Sequence, residues 1–242
     1  HYLTSGGYPA VALAKGKQLK LCLLEEIFRS YMEKDIKAFL KIDNETAFRN
    51  LVKILSSQIG NLVNKDELSR ALGIHKHTLD SYLFYLEETF ILDFVRPFYR
   101  NRRKEILKSP KVYFRDLGLR NFAIGDFNNF QFRPDKGGIF ENFSYLCLKE
   151  KLAPSSSQLY FWRTKAGAEV DFVALKGLKP IAFEVKAGAP KEFKISKSLR
   201  SFLEAYHPQQ AYCINMGVKG NIGIKNTKVS FVSPADLFKL QI

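Results

Sequence analysis

Cysteine is scarce in this chain. Cys22, Cys147 and Cys213 are the only three in 242 residues, far apart and in apolar surroundings. An odd, dispersed set excludes a disulfide framework and lacks the paired spacing of a zinc site. These residues are therefore expected to be buried thiols in a reducing, cytoplasmic compartment. Apolar runs are short as well: none approaches the ~20 residues of a membrane span, and no signal peptide is visible, so no membrane partner is expected. Internal repeats and low-complexity tracts are missing. Acids are outnumbered, 24 against 38 Lys and Arg, which leaves a net charge of +14. An excess of that size attracts nucleic acid or anionic lipid.

What is present is ordinary globular composition, 46% hydrophobic and 26% charged, with 21 Phe and 11 Tyr. The length suffices for one large or two modest domains. Residues 18–40 carry apolar side chains at helical spacing, and a second helix opens at Thr46 and ends near Gly60. Asn64 then begins a short helix, Gly73-Ile74 turns, and Lys76 to Glu88 forms another helix. Asn64 with Glu67 three positions on reads as an N-cap and capping box. Leu68, Leu72, Ile74, Leu79, Leu83 and Leu86 would pack the pair together, a helix-turn-helix pattern. FILDFVRPFYR and KVYFRD follow as two strands around a basic hairpin, so residues 46–118 read as a winged helix. Residues 1–45 precede it as a helical segment. From 119 to 242 the order is helix (139–152), three strands (159–164, 168–175, 181–187), helix (193–206) and strand (211–215). Another strand, VSFVS (229–233), and a short final helix complete it. The fold class is mixed α and β.

The chemistry concentrates at Glu141, Asp171, Glu184 and Lys186. Alternate side chains of a strand share a face, so Glu184 and Lys186 project together, about 6.6 Å apart along the strand. Asp171 can meet them from the neighbouring strand, with Glu169 on its own face as a further acid. Glu141 comes from the preceding helix, on the face of Ser144, Tyr145, Leu148 and Leu152. A carboxylate on an inward face is costly unless it is paired or binds metal. Two or three carboxylates beside one lysine can hold Mg²⁺ or Mn²⁺ against a phosphate. In that reading Glu141, Asp171 and Glu184 are the metal ligands, helped by the Val185 carbonyl, and Asp171, Glu184 and Lys186 are catalytic. Lys186 would orient or deprotonate a water, or neutralise the phosphate. The plainer alternative is an edge-strand ion pair between Glu184 and Lys186.

The part from 119 onward resembles the PD-(D/E)xK nuclease superfamily, whose core is helix-strand-strand-strand-helix-strand. Its Glu, Asp and ExK positions correspond to Glu141, Asp171 and Glu184/Lys186, although Val170 stands where the superfamily has proline. Nearly the whole chain is similar to the C-terminal part of a bacterial and archaeal family of AAA+-type ATPases. That likeness is carried by YLTSGGYPAV, SYMEKDI, NLVNKDELSRALGIHKHTLDSYLFYLE, SPKVYFRDLGLRN, GGIFENFSYL, FWRTKAGAEVDFV and FEVKAG. Lys34 and Leu117 depart from the family's usual Arg and Thr. The resemblance implies a restriction-endonuclease-like domain at 119–242 and an upstream P-loop ATPase, of which residues 1–45 would be the remnant. No Walker A pattern occurs here, so ATP is expected only through that upstream module. The chain begins at His1 rather than Met, which is expected of a piece of a longer protein.

DNA is the expected partner, with Arg102, Arg103 and Lys104 of the hairpin tracking phosphates. Lys76 and His77 are exposed positions of the second helix and Lys76 is a candidate DNA contact, but Asp80, Glu87 and Glu88 share that surface and would repel DNA. The alternatives are that this helix reads a partner protein or packs on the next domain. Lys194 and Lys197, with Arg200, form a further basic ridge. His75 and His77 point about 200° apart on a helix and do not make a metal pair. Trp162 and Tyr160 share a strand face and belong to the core. Three functions follow: a metal-dependent nuclease, an inactive nuclease-like DNA-binding module, or a protein-interaction platform that organises oligomers.

Overall fold

The structure is a computed structural model that describes residues 1–32, 44–99, 108–155 and 157–240. Contacts gather the chain into two compact units, His1–Phe94 with Lys111–Ile139, and Val95–Pro110 with Phe140–Ile242. These limits fall elsewhere than the sequence-based divisions at 45 and 118, and the N-terminal helices sit inside the first unit.

The first unit is built from α1 (Tyr2–Ser5), α2 (Pro9–Leu13), α3 (Lys17–Ser30), α4 (Glu45–Ser57), α5 (Lys65–Leu72) and α6 (Lys76–Glu88). The start of β1 (Leu92–Pro97), β2 (Lys111–Phe114) and α7 (Leu117–Ile124) complete it. Local chemistry sets these boundaries. The Asn64 carboxamide oxygen accepts from the amides of Asp66 and Glu67 at 3.1 and 3.3 Å, satisfying donors left open at the start of α5. Gly73 closes that helix in the left-handed region (φ 64°), where a side chain is disfavoured. Phe48 of α4 meets Tyr82 of α6 edge-on at 5.2 Å, and Leu51, Val52 and Leu55 are fully inside. The Gly6-Gly7 pair has a stereochemical purpose: Gly6 takes φ 73°, and the Gly7 amide donates to Asp116 Oδ2 at 2.6 Å.

Helix α7 was not evident in the sequence. Its Arg120 is buried and gives Nε to the Ser56 carbonyl (2.7 Å) and Nη1 to Asp135 Oδ2 (2.6 Å). Arg133, equally buried, grips the same carboxylate at 2.7 and 2.8 Å.

The second unit holds most of α8 (Lys136–Leu152), then β3 (Leu159–Arg163), β4 (Glu169–Lys176), β5 (Lys179–Lys186), α9 (Lys197–Tyr206), β6 (Gln210–Asn215), β7 (Gly220–Ile224), β8 (Thr227–Val232) and α10 (Pro234–Leu237). Its sheet runs β3-β4-β5-β6-β8-β7, and the end of β1 lies parallel to β3 at Arg96↔Tyr160. Pairs β3–β4, β4–β5 and β7–β8 are antiparallel, whereas β5–β6 and β6–β8 are parallel. A parallel neighbour needs a crossover connection, and α9 supplies it between β5 and β6.

Both sheet faces are covered. Leu199, Phe202 and Leu203 of α9 pack with Trp162, Val173, Ala182, Ala211 and Cys213. On the other face Phe183 stacks on Tyr212 at 5.3 Å, and Tyr145 of α8 approaches Phe172 at 6.0 Å. Two features depart from expectation. Helix α9 starts at Lys197, not 193, because the Ser196 hydroxyl caps the Leu199 amide at 2.9 Å. Strand β7 escaped notice because Gly220 and Gly223 interrupt its pattern, and it is joined to β8 through Lys225 in the left-handed region (φ 51°).

Candidate functional site

The pairing of β4 with β5 runs from Lys176↔Lys179 to Phe172↔Phe183. Immediately beyond, Asp171 Oδ2 accepts the Val185 amide at 2.7 Å, so a carboxylate takes up the backbone donor of the neighbouring strand. Alternation puts Ala182, Glu184 and Lys186 on one face of β5, toward the α9 side. Glu184 is buried, with 4% exposure, whereas the Lys186 side chain reaches out with 54%. Lys186 Nζ stands 2.9 Å from Glu184 Oε1. The second oxygen, Oε2, accepts weakly from the Ser196 amide at 3.4 Å and faces Cys213 Sγ at 3.9 Å. Cys213 sits opposite Glu184 on β6.

Charge at this spot is set by the competition of burial with pairing. Desolvation pulls the Lys186 ammonium down, but the Glu184 charge and hydrogen bond, with a further contribution from Asp171, leave it above the ordinary lysine value. Lys186 is thus a fixed cation at neutral pH. Burial first, and the Glu184 charge next, push the Cys213 thiol far up, so it is an inert neutral neighbour.

Asp171, Glu184 and Lys186 therefore come together at one end of adjoining strands. Glu141 is half-buried on α8, and Glu169 pairs with Arg163 at 3.4 Å. Among the described residues no group of three or more His, Cys, Asp or Glu side chains is placed to hold a metal ion. Two carboxylates facing one ammonium are nonetheless a donor set that suits Mg²⁺ or Mn²⁺, which take one or two protein carboxylates and complete their shell with water and substrate phosphate.

A cleft of about 560 Å³ opens beside Lys186, walled by Ala187–Pro190 and by Lys194, Cys213, Asn215 and Phe231. Sequence reading missed it, since only the tertiary fold brings the end of β6 and the loop after β5 together. Lys194 lies in that loop before α9, and both it and Lys197 are exposed. Lys76 is held by Asp66 at 2.6 Å, and Lys65 by Asp80 at 2.6 Å, so the helix pair neutralises part of its own charge. Arg102, Arg103 and Lys104 lie outside the described residues. Cys22 is exposed, contrary to its expected burial, whereas Cys147 and Cys213 are buried. Among the described residues no helix is long and apolar enough to cross a membrane.

Residues 1–129, more than half of the chain, match the family described as a domain of unknown function, DUF8612. The chain belongs to the DUF8612 family. Beyond the DUF8612 segment, residues 136–234 match a second domain of unknown function, DUF4143, and this match contains Glu141, Asp171, Glu184 and Lys186. Uncharacterized proteins of Mycobacterium bovis and Mycobacterium tuberculosis are each 30% identical over 201 residues, which is 82% of this chain and 44% of theirs. An uncharacterized protein of Haemophilus influenzae is 32% identical over 130 residues, 51% of this chain and 32% of its own length. The DUF8612 chain thus spans less than half the length of the curated relatives it matches.

Proposed function

We propose that residues 136–234 form a nuclease-like module that hydrolyses phosphodiester bonds of DNA with a divalent metal, and that residues 46–118 are a winged-helix-like segment that also binds DNA. The observation that carries this reading is the buried Glu184 paired with the outward Lys186 at 2.9 Å, with the Asp171 carboxylate at the adjoining strand. Burying one member of an ion pair and exposing the other is a poor device for stability. It suits a site where the exposed cation meets a ligand.

The residues divide the work as follows. Asp171 and Glu184 would hold Mg²⁺ or Mn²⁺, with Glu141 of α8 as a helper. When bound there, such an ion would supply Lewis-acid chemistry to the phosphodiester. Lys186, whose side chain reaches out beside Glu184, would neutralise and orient the scissile phosphate, or orient or deprotonate the attacking water. Asp171 is aimed by the Val185 amide, and Glu184 by Lys186 and Ser196.

Domains matching DUF4143 are typically found in C-terminal regions of AAA-type ATPases, which supports an upstream ATPase partner whose nucleotide is ATP. A second reading keeps the binding and drops the chemistry, as a nuclease-like module for DNA binding or protein contact. It is favoured by the lack of a three-acid cluster among the described residues. Incubation with plasmid DNA and Mn²⁺ separates the two. The unsubstituted protein is expected to nick the plasmid, and Asp171→Ala and Lys186→Ala to lose at least a hundredfold in rate. Equal cleavage by all three, or by none, sinks the catalytic reading.

A further inference from the structure

The cleft beside Lys186 has properties that the acid-lysine site alone does not require. Its volume, about 560 Å³, lies in the range of small-ligand pockets. Apolar groups of Ala187, Pro190, Ile195 and Phe231 line it, and its ammonium groups are those of Lys186 and Lys194. The walls are braced. A Cβ on Gly217 would collide with the Pro190 carbonyl oxygen, so the two loops are in backbone contact, and the Met216 amide donates to the Gly188 carbonyl at 3.4 Å. Next to Lys194 an aromatic ring, Phe193, is 46% exposed yet anchored. It meets the lining residue Phe231 at 5.2 Å, and Gly220 leaves room for it, since a Cβ there would stand 2.7 Å from the ring.

From these observations we propose that the cleft takes one unstacked nucleotide of a single strand, its base against Phe193 and Phe231 and its phosphates between Lys186 and Lys194. Lys186 belongs both to the acid-lysine set and to the cleft wall. A phosphate held by Lys186 therefore carries its attached nucleoside to the cleft mouth. A base still stacked and paired in a duplex cannot turn its face onto the ring of Phe193 at this open apolar cleft, because it would first have to leave its neighbours. An exposed ring that any base can stack upon gives tolerance of sequence with selectivity for single strands. The substrate class that follows is a single-stranded segment or a frayed end.

The proposal rests on the nuclease-like reading of the same edge, and its test keeps the two apart by measuring binding without metal. Fluorescein-labelled single-stranded and blunt duplex oligodeoxynucleotides are titrated with the protein in EDTA and followed by anisotropy. The single strand is expected to bind at least tenfold more tightly than the duplex. Phe193→Ala and Ala189→Trp, the first removing the stacking ring and the second filling the cleft, are each expected to weaken single-strand binding about tenfold. Trp162 emission in the Phe193→Ala protein and far-ultraviolet circular dichroism in both check that the unit remains folded. Asp171→Ala, which removes cleavage, should leave the single-strand preference intact. Equal affinity for the two DNAs overturns the proposal, as does full single-strand binding by both cleft variants. Displacement of the strand by an equimolar nucleoside monophosphate also overturns it, because the cleft would then prefer a free nucleotide. Absence of cleavage with the preference retained removes the catalytic reading and leaves the cleft assignment standing.

Discussion

Lys186 shows how a single side chain is tuned by its surroundings. Partial burial works against its charge, but Glu184 at 2.9 Å and the nearby Asp171 outweigh that cost and raise its pKa. A raised lysine pKa means that the pair contributes stability fully below the ordinary value of 10.5 and loses it as pH rises through the higher folded value. In metal-free protein, where no cation competes for Glu184 and Asp171, the Lys186 ammonium is expected to stay protonated through the ordinary lysine range, which nitrogen-15 NMR of the side chain reads. Deprotonation near neutrality would contradict the pairing. The pairing of Glu184 with Lys186 was legible in the sequence, because a strand places residues two apart on one face. The 4% exposure of Glu184 was not, since it depends on α9 and β6 covering that position.

Between elements, Asp135 joins α4, α7 and the start of α8. Two arginines with only 1% side-chain exposure converge on its carboxylate, and one of them also reaches the Ser56 carbonyl. Burial raises the Asp135 carboxyl, but the hydrogen bonds and charges of Arg133 and Arg120 overcome it and hold the group at about 2. A lowered folded pKa gives stability that is complete above the ordinary 3.8 and lost as pH falls through about 2. Asp135→Ala strands two buried cations, and urea unfolding followed by circular dichroism should show a loss of about 3 kcal/mol. Trp162, the one tryptophan, lies in the other unit and should respond less. If the substitution leaves the urea midpoint unchanged, the cluster is not a stability element. Nothing in the spacing of Arg120, Arg133 and Asp135 announced this cluster, and α7 itself lacked a periodic signal, because burial of Arg120 breaks the apolar pattern that marks a helix.

At the scale of the whole molecule, the net charge of +14 sets an expectation of salt-sensitive DNA binding. Each phosphate of a single strand that is neutralised adds about −0.7 to the slope of log affinity against log salt. Lys194→Gln should flatten that slope by about one such step, whereas Lys76→Gln should change it little, because Asp66 already sits 2.6 Å from Lys76. Fluorescence anisotropy over a potassium chloride series reads both, and a large effect at Lys76 would return the helix pair to the DNA-contacting surface. Composition alone established the excess of positive charge, the dispersed cysteines and the short apolar runs. Local pattern established the helix capped by Asn64 and the helix that opens at Lys76, the order of helix, three strands, helix and strand, and the shared face of Glu184 and Lys186. These follow from short-range rules of cap chemistry, of period 3.6 and of period 2. Tertiary structure alone decided that Asp171 meets the Val185 amide, that Lys76 is spent on Asp66 and that Cys22 is exposed while Cys213 faces Glu184. It also formed the cleft beside Lys186. Each of these joins residues far apart in the chain, and the register of β5 with β6 and the packing of α9 against the sheet fix those distances, which no local spacing encodes.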